Sequence, residues 1–392
     1  MRILHVDKFL PPTGGVAAVI DALAAEQRRD GHEVLQFGCV PPGGRDDMPR
    51  RHDFTRARPR DLPRMIHNRQ AARRLKRFLA TRRIDIAHLH NIYHHLTPSI
   101  LGVLRRSHIP AVMTVHDYRL ACPTRHFYRS DGLCRRCVSG NLLHAASSRC
   151  AGAAGLGLAI ESYAQRIARR YVRGIERFLC PTRYMADVLR ETGIPAGKLR
   201  VWPLPVPAPV LPPGEPEGNR LLYAGRLSAE KGPDLMLDLA AGVPEARVTV
   251  LGDGPELAPL RAAVQARGLA NVSLPGSTDR AGVARELARA AALVLPSRCM
   301  ENAPVAMLEA MTAGRAVIVP DQAPLREFVR DGRTGRTFAT GDADRLSAVA
   351  GEVLADAEAR RTMAAAGQER IRPRHEPGAV AEATEAIYRE AL

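Results

Sequence analysis

Two glutamates eight positions apart carry the clearest signal for ligand chemistry in this sequence. Glu301 and Glu309 lie in the segment ENAPVAMLEAM, which follows a short apolar run at 292–295. We expect Glu301 in the loop after a strand and Glu309 two turns into a helix that starts near Pro304, since proline is favoured at the first helical position. Carboxylates that flank the free amides of a helix N-terminus can hold hydroxyl groups on two sides of a bound anion. The other candidate residues of this loop are Asn302, Ala303 and Val305. The alternative is a surface loop with an ordinary solvated glutamate.

Two cations follow the apolar run at 221–224. Arg226 and Lys231 lie close enough in sequence to converge at the end of a strand, where an arginine fork and a lysine point charge suit a diphosphate. Gly252 and Gly254 follow the next apolar run, at 247–251, and glycines there let the backbone approach a ligand. Exposed helix-start charges and an ordinary tight turn are the alternatives. The sequence has neither GxxxxGK[ST] nor GxGxxG, which disfavours an ATPase or a dinucleotide enzyme.

His116 directly follows the apolar run at 111–115. A neutral histidine there can hydrogen-bond a hydroxyl group, and a charged one can stabilise developing charge, although a structural histidine is the alternative. Gly14 and Gly15 occupy the corresponding turn after the first apolar run, at 2–6.

Four cysteines form a separate cluster with the pattern C-x11-C-x2-C-x12-C. They are Cys122, Cys134, Cys137 and Cys150. Four thiolates with one C-x2-C pair can make a closed tetrahedral zinc site, which we expect to order its loop. An iron–sulfur cluster and unliganded thiols are the alternatives. The remaining cysteines are expected to be core or incidental residues.

Short apolar runs alternate with helical spacing along the chain of 392 residues, which predicts an α/β fold of two doubly wound parallel sheets. Residues 201–219 contain seven prolines and predict a boundary between two domains near residue 205. With 45% hydrophobic and 25% charged residues the chain is neither disordered nor a disulfide scaffold. It has no apolar stretch of bilayer length and no recognisable signal peptide, so we expect a cytoplasmic protein with reduced thiols.

The excess of positive over negative charge is confined to the first half. Residues 1–200 contain 35 Lys and Arg against 16 Asp and Glu, whereas residues 201–392 contain 22 against 25. The densest block runs from Arg51 to Arg83. Such a surface attracts anionic partners or simply keeps the protein in solution. Only 4% of residues are aromatic and no nucleic-acid motif occurs, so nucleic acid is not expected.

Together these motifs resemble the retaining nucleotide-sugar glycosyltransferases of family 4, which have the GT-B fold. The resemblance runs from Arg2 to about Phe338 and includes His88-x-His90-Asn91, while cysteines that follow a His-Asp-Tyr motif occur in one branch of the family. It implies two Rossmann-like domains facing a central cleft. Residues 1–205 would bind the acceptor, with the cysteine insert at about 120–152. Residues 206–378 would bind the nucleotide sugar, and the helix at 379–392 would pack back on the first domain.

The resemblance also implies a role for each site residue. Arg226 and Lys231 would clamp the diphosphate, Glu309 would hold the ribose, and Glu301 would hold hydroxyl groups of the donor sugar. His116 would approach the anomeric carbon, and Gly14 and Gly15 would cover the phosphate and sugar. Cations near the β-phosphate favour departure of the leaving group, so no catalytic metal is expected.

The expected activity is transfer of a hexosyl unit from a nucleoside-diphosphate sugar to an acceptor hydroxyl, with retention of configuration. We expect a role in the assembly of cell-envelope polysaccharide or glycolipid, with a lipid-linked acceptor at the anionic inner face of the membrane. Glycosylation of a soluble natural product, epimerisation of a sugar nucleotide, and a zinc-bearing nucleic-acid binder are the alternatives.

Overall fold

The chain forms two compact units in a computed structural model that describes residues 1–41, 47–51, 61–129, 131–142, 144–147, 150, 155–209 and 216–392. Unit 1 comprises Met1–Ser130, Cys134–Pro205 and Pro377–Leu392, and unit 2 comprises Val206–Glu376 with Asp131–Leu133. Parts of the basic block (52–60), of the cysteine insert (130, 143, 148–149 and 151–152) and of the proline-rich segment (210–215) lie outside the described residues.

Unit 1 is built on a six-stranded parallel sheet with the order β2-β1-β3-β4-β7-β8. Its strands are β1 (Arg2–Phe9), β2 (Glu33–Cys39), β3 (Ile86–Leu89), β4 (Ala111–Thr114), β7 (Arg177–Cys180) and β8 (Leu199–Val201), and β5 (Tyr128–Arg129) with β6 (Gly132–Leu133) forms a separate pair. The helices are α1 (Gly15–Arg29), α2 (Leu62–Ile66), α3 (Arg69–Leu79), α4 (Ser99–Arg106), α5 (His144–Ser147), α6 (Gly155–Ile167), α7 (Arg170–Gly174) and α8 (Arg183–Glu191). Strands β3 and β4 are buried along their whole length because helices cover both faces of a parallel sheet.

Unit 2 repeats this plan with the strand order β11-β10-β9-β12-β13-β14. Its strands are β9 (Arg220–Ala224), β10 (Arg247–Leu251), β11 (Val272–Gly276), β12 (Ala292–Val294), β13 (Ala316–Pro320) and β14 (Arg336–Phe338). The helices are α9 (Leu235–Gly242), α10 (Leu257–Ala266), α11 (Arg280–Arg289), α12 (Val305–Thr312), α13 (Ala343–Ala355) and α14 (Ala357–His375).

The last helix, α15 (Pro377–Ala391), belongs to unit 1 and packs against α1. Its side chains also bond to the sheet. Trp202 donates its indole N–H to Thr384 Oγ1 at 2.9 Å, and Arg200 Nη2 lies 2.7 Å from Glu390 Oε2. The helix therefore completes one face of the first sheet.

The predicted α/β class with two doubly wound parallel sheets is confirmed. Each apolar run named from the sequence coincides with a strand, within three residues at either end. The interpretation missed four strands of three to five residues, namely β7, β8, β11 and β14. Residues 202–209 form neither helix nor strand, as their prolines require. Among the residues that the structure describes, no helix is long and apolar enough to cross a membrane.

Candidate functional site

The candidate site of unit 2 lies where the order of its strands reverses. The chain runs outward from β9 to β10 and β11 and then returns to the other side of β9 as β12. Ligands of open α/β sheets bind at the carboxyl ends of the strands that flank such a reversal. Lys231 follows β9 and Glu301 follows β12, so the two loops at this point carry the residues singled out from the sequence.

Lys231 and Glu301 form an ion pair that joins these two loops. Lys231 Nζ lies 2.7 Å from Glu301 Oε1, and Glu301 is buried while the lysine side chain is about a quarter exposed. Although burial opposes the charge on Lys231, the carboxylate of Glu301 raises the pKa of the lysine well above its usual value. The pair therefore holds a permanent cation at the carboxyl end of the sheet.

Glu301 is fixed by two further side chains. Ser297 donates its hydroxyl to Glu301 Oε1, and Gln322 accepts the backbone N–H of Glu301 at 2.9 Å. Gln322 also donates to the carbonyl of Cys299 at 2.8 Å. Residues 297–301 are thus held in one conformation by hydrogen bonds from the loop after β13, which favours a preorganised site.

The glycines Gly252 and Gly254 lie where two loops of unit 2 pack closely together. A Cβ atom on Gly252 would lie 1.8 Å from the carbonyl oxygen of Gly225, and one on Gly254 would lie 2.2 Å from that of Leu227. Their φ angles of +146° and +156° also exclude other residues. The two glycines therefore let the loops after β9 and β10 pack together, which fixes the backbone on either side of Arg226.

Arg226 and Glu309 occupy the remaining positions around this point. Arg226 is exposed, and among the described residues its guanidinium has no hydrogen-bonding or ionic partner. The helix α12 begins at Val305 rather than at Pro304, because Pro304 has an extended ψ of 118° and is the N-cap residue. Glu309 lies in the second turn, where burial raises the pKa of its carboxyl despite Arg280 at 3.8 Å.

The remaining donor-site candidates lie at the start of α12. Asn302 is buried, while Ala303, Pro304 and Val305 are partly exposed. No side chain among the described residues caps this helix, so its first-turn amides are available to an anion.

In unit 1 the predicted residues lie at the carboxyl ends of β1 and β4. Gly14 has a φ of +67° and precedes the exposed start of α1, whose first residue is Gly15. Within the described part of the chain, no side chain caps this helix. His116 is partly exposed and follows β4, and Asp117 caps the next turn by accepting the N–H of Arg119 at 3.0 Å. Burial lowers the pKa of His116 to about 4, so its ring is neutral at physiological pH.

His116 is bonded to a row of buried histidines. His116 Nε2 lies 3.0 Å from His90 Nδ1, His90 Nε2 lies 3.1 Å from His5 Nδ1, and His5 Nε2 lies 2.7 Å from Gln27 Oε1. His88 joins the same layer, and its ring stacks on that of His90 with centroids 4.5 Å apart. Sequence reasoning assigned no role to His5 or Gln27, since histidines and glutamines within apolar runs carry no motif.

The four predicted metal ligands line one small cavity of unit 1 together with Phe127. They are Cys122, Cys134, Cys137 and Cys150, and the cavity measures about 10 Å³, close to the space of one bound atom. The sulfurs are not at coordination spacing. Among the described residues, the one group of three or more potential metal ligands with donor atoms within 4.8 Å of one another is His5, His88 and His90. Burial and the neighbouring thiols raise the pKa of Cys137 to about 12.

A larger cavity of about 290 Å³ lies under α6 in unit 1. A buried ion pair forms part of its wall, with Arg119 Nη2 2.5 Å from Glu161 Oε2. Tyr93 and Gln165 also line the cavity, and the buried hydroxyl of the first and side-chain oxygen of the second have no hydrogen-bonding partner among the described residues. Unsatisfied polar atoms in a roomy cavity are typical of a site that takes a hydroxylated ligand or ordered water.

The sequence matches two family descriptions that divide it where the units divide. Residues 13–208 match Glycosyltransferase Family 4, and residues 213–370 match Glycosyl transferases group 1. The first match spans half of the chain. The protein therefore belongs to glycosyltransferase family 4, as its motifs predicted.

Curated relatives with this similarity act on varied molecules. The chain is 25% identical over 354 residues to a GDP-mannose-dependent alpha-mannosyltransferase of Mycobacterium tuberculosis, covering 86% of this chain and 83% of the relative. It is 27% identical over 175 residues to an alpha-D-kanosaminyltransferase of Streptomyces kanamyceticus, covering 43% of this chain and 45% of the relative. With a phosphatidyl-myo-inositol mannosyltransferase of Mycobacterium leprae the identity is 31% over 161 residues, which covers 40% of this chain and 42% of the relative. The chain thus spans less than half the length of the last two.

Solved structures share the whole fold at low identity. HepE of Anabaena in complex with UDP-glucose superposes with a TM-score of 0.71 over all of both chains, at 15% identity. Sucrose-phosphate synthase of Thermosynechococcus elongatus gives 0.72 over 99% of this chain and 98% of its own, at 19% identity. These similarities establish the GT-B fold.

Proposed function

We propose that this protein transfers a hexosyl unit from a nucleoside-diphosphate sugar to an acceptor hydroxyl, with retention of configuration. The observation that carries the proposal is the preorganised pair of Lys231 and Glu301 at the strand reversal of unit 2, with the exposed Arg226 on the same loop as Lys231. The family's curated relatives include transferases of kanosamine and mannose. The related HepE structure contains UDP-glucose.

The chemistry assigned to unit 2 is stabilisation of the leaving group. As the bond from the anomeric carbon to the β-phosphate oxygen breaks, negative charge grows on the phosphate. Lys231, Arg226 and the amides at the start of α12 offer positive charge there, while Glu301 and Glu309 accept hydrogen bonds from hydroxyl groups of the sugar and ribose. In unit 1, His116 is assigned a hydrogen bond to a hydroxyl of the reacting sugar. In this proposal, groups of the chain itself stabilise the charge that develops on the leaving phosphate.

A ligand-dependent melt tests the donor site. We expect one of UDP, GDP and ADP to raise the melting temperature, since a ligand at about 100 times its Kd adds about 2.7 kcal/mol. Arg226→Ala should abolish most of this shift. Arg267→Ala is the matched control, because Arg267 is also an exposed arginine of unit 2 but pairs with Asp238 on another surface. Equal shifts in the two variants, or no shift with any diphosphate, would contradict the proposal.

Transfer itself needs a product assay. Incubation with the stabilising sugar nucleotide should release the diphosphate slowly by hydrolysis and faster with a suitable acceptor, and the anomeric proton coupling of the product reports retention. Conversion of the sugar nucleotide without any acceptor into its epimer would instead identify a sugar-nucleotide epimerase.

For the acceptor we propose a lipid-linked sugar or glycolipid at an anionic membrane surface. Helix α3 supports this, because Ala71, Leu75 and Phe78 face the core while Arg69, Arg73 and Arg77 are exposed. One relative, the phosphatidyl-myo-inositol mannosyltransferase, is named for a lipid. The kanosaminyltransferase favours the alternative of a soluble acceptor, for which the cavity beside Tyr93 offers hydroxyl-binding groups.

Vesicle binding distinguishes the two kinds of acceptor. Vesicles with 30 mol% phosphatidylglycerol should retain the protein at low salt and release it as salt screens the charges. A variant with Arg69, Arg73 and Arg77 changed to Ser should be retained less. A variant with three exposed arginines of unit 2 changed, Arg267, Arg326 and Arg333, is the control. Equal retention of both variants, or none for the unmodified protein, would exclude this membrane role.

We also propose that the four clustered cysteines hold one zinc ion. Their convergence on one atom-sized cavity supports the proposal, and thiolates are ligands that zinc prefers. The sulfurs would have to move together to reach the Zn–S distance of about 2.3 Å. Zinc there would tie the segment 122–150 into one folded loop and would take no part in transfer.

Metal analysis of the purified protein tests this site. We expect about one equivalent of zinc, lost in Cys137→Ser and kept in Cys180→Ser, whose buried thiol lies in β7 away from the cluster. Iron with inorganic sulfide in place of zinc, or well under one equivalent of either, would refute the zinc proposal.

A further inference from the structure

The buried histidine row consists of His116, His90 and His5, and the hydrogen-bonding partners of these rings determine which ring donates and which accepts. A neutral imidazole has one N–H and one acceptor nitrogen, so a bond between two rings requires one of each. Burial lowers the pKa of His5 to about 4 and lowers those of His88 and His90 well below their usual values. All the rings of the row are therefore neutral, and fixing the tautomer of one ring fixes its neighbours.

Gln27 sets the direction at the inner end of the row. Its side-chain oxygen can only accept, so His5 Nε2 must carry the proton across the 2.7 Å contact. His5 Nδ1 is then an acceptor and receives the N–H of His90 Nε2 at 3.1 Å. His90 Nδ1 in turn accepts from His116 Nε2 at 3.0 Å. The proton of His116 thus lies on Nε2, and Nδ1 is its acceptor nitrogen.

The amide of Gln27 is oriented by the last helix of the chain. Gln27 Nε2 donates to the hydroxyl of Tyr388 at 3.1 Å, and this hydroxyl lies 2.7 Å from His88 Nδ1. His88 Nε2 lies 2.7 Å from Thr114 Oγ1 and can donate to it. When the Tyr388 hydroxyl donates its hydrogen bond to His88 Nδ1, its oxygen accepts from Gln27 Nε2, so the side-chain oxygen of Gln27 faces His5.

The geometry points to Gln27, His5 and His90 as positioning residues that hold His116 in the neutral Nε2–H tautomer, with Nδ1 kept as an acceptor for a sugar hydroxyl. The clause about the sugar rests on the function proposed above. The tautomer itself is a property of the free protein and stands or falls without that function.

The two ring nitrogens of His116 therefore have different roles, because one donates a hydrogen bond and the other accepts one. A neutral acceptor nitrogen holds a hydroxyl of the reacting sugar by taking its proton into a hydrogen bond, whereas the opposite tautomer would present an N–H and select a different oxygen. Because the inward nitrogen is already engaged, the ring cannot turn over without breaking its bond to His90. The row therefore fixes the orientation of the His116 ring, and it also fixes that Nδ1 accepts a hydrogen bond rather than donates one.

Nitrogen NMR on protein labelled with 15N-histidine measures the tautomer directly. Two-bond correlations to the ring carbon-bound protons distinguish Nδ1–H from Nε2–H, and His116→Gln assigns the signals. We expect a single Nε2–H form for His116, His90 and His5. A single Nδ1–H form or a mixture at His116 in the unmodified protein would overturn the inference, whatever the protein's activity.

Two variants of similar shape separate positioning from simple packing. Gln27→Met removes the acceptor at the head of the row and should give a mixture of tautomers at His116. Thr384→Val is the matched control, since it removes a buried hydrogen bond to Trp202 in the same unit but leaves the row to His116 intact. Gln27→Glu restores an acceptor and should restore the Nε2–H form.

The activity readout follows the same order. With the stabilising sugar nucleotide, Gln27→Met should lower kcat about tenfold or more while the donor KM changes less than twofold, and Gln27→Glu should recover most of kcat. Equal losses in Gln27→Met and Thr384→Val would show that these buried groups matter only for packing. If the tautomer is as expected and no transfer occurs with any sugar nucleotide, the proposed function fails and the positioning row stands.

Discussion

The sharpest consequence of the close packing beside Arg226 concerns Gly252. In the Gly252→Ala variant, the new Cβ would lie 1.8 Å from the carbonyl oxygen of Gly225. Relief requires a shift of more than about 1 Å, which breaks the bond from Gly225 N to Leu251 O, now 3.0 Å, at about 1 kcal/mol. The φ of +146° adds about 1–3 kcal/mol for any residue with a Cβ. We therefore expect a loss of roughly 3–5 kcal/mol once the contact itself is included.

Gly268→Ala is the matched control because Gly268 also has a positive φ, +62°, but its Cβ would meet nothing within 4 Å. Its cost is that of the left-handed conformation alone, about 1–2 kcal/mol. At about 2–4 °C for each kcal/mol in a unit of this size, Gly252→Ala should melt about 6–20 °C lower and Gly268→Ala about 2–8 °C lower. Calorimetry on the two variants measures both numbers. Melting temperatures within 2 °C of each other would refute the close approach of the two loops.

Three further predictions concern the buried polar groups. Lys231→Met should lower the free energy of unfolding by about 2–4 kcal/mol, because it leaves the carboxylate of Glu301 buried without its cation. A double-mutant cycle with Glu301→Gln, measured by urea unfolding, should give a coupling energy of about 1–3 kcal/mol. Additive losses in the two single variants would contradict the pairing. Stability should fall as the pH is lowered from about 6.5 towards 4, because the unfolded chain takes up protons on its histidines in this range while burial lowers the pKa of His5 in the folded protein to about 4. The melting temperature should depend less steeply on pH in His5→Gln. An unchanged dependence would exclude His5 as a cause of the pH effect. Tyr388→Phe should cost about 1–3 kcal/mol, since Gln27 Nε2 loses its acceptor; a melt unchanged within 1 °C would contradict that role.

The sequence is informative where the apolar pattern is strong and local. Runs such as 247–251 and 316–319 predict strands because each is β-branched, continuous and bounded by turn residues. Strand β8 has three residues, Leu199–Val201, and β14 has an arginine among its three. Such short strands derive their conformation from a partner strand rather than from their own pattern, so single-sequence reasoning misses them.

The candidate site divides in the same way. The residues Lys231 and Glu301 are predictable as types at strand ends, but their pairing is not, since they are 70 positions apart and meet only through the strand order. Ser297 and Gln322, which hold Glu301, carry no motif at all. The glycines after β10 allow a close backbone approach by the loop after β9, and their predicted place beside a ligand stays a prediction.

The place of α15 in unit 1 affects how the protein must be made. In α15, Tyr388 bonds to Gln27 and Thr384 bonds to Trp202, while Val380 and Ala381 are buried in unit 1. The ribosome synthesises residues 206–376 of unit 2 before it reaches this helix. At about 5–20 residues per second that interval lasts on the order of ten seconds or more. Throughout it the first sheet is complete in its strands but lacks the helix that covers α1. The unit that is synthesised first is therefore the one that finishes folding last, and its uncovered apolar surface is what a nascent-chain chaperone would meet.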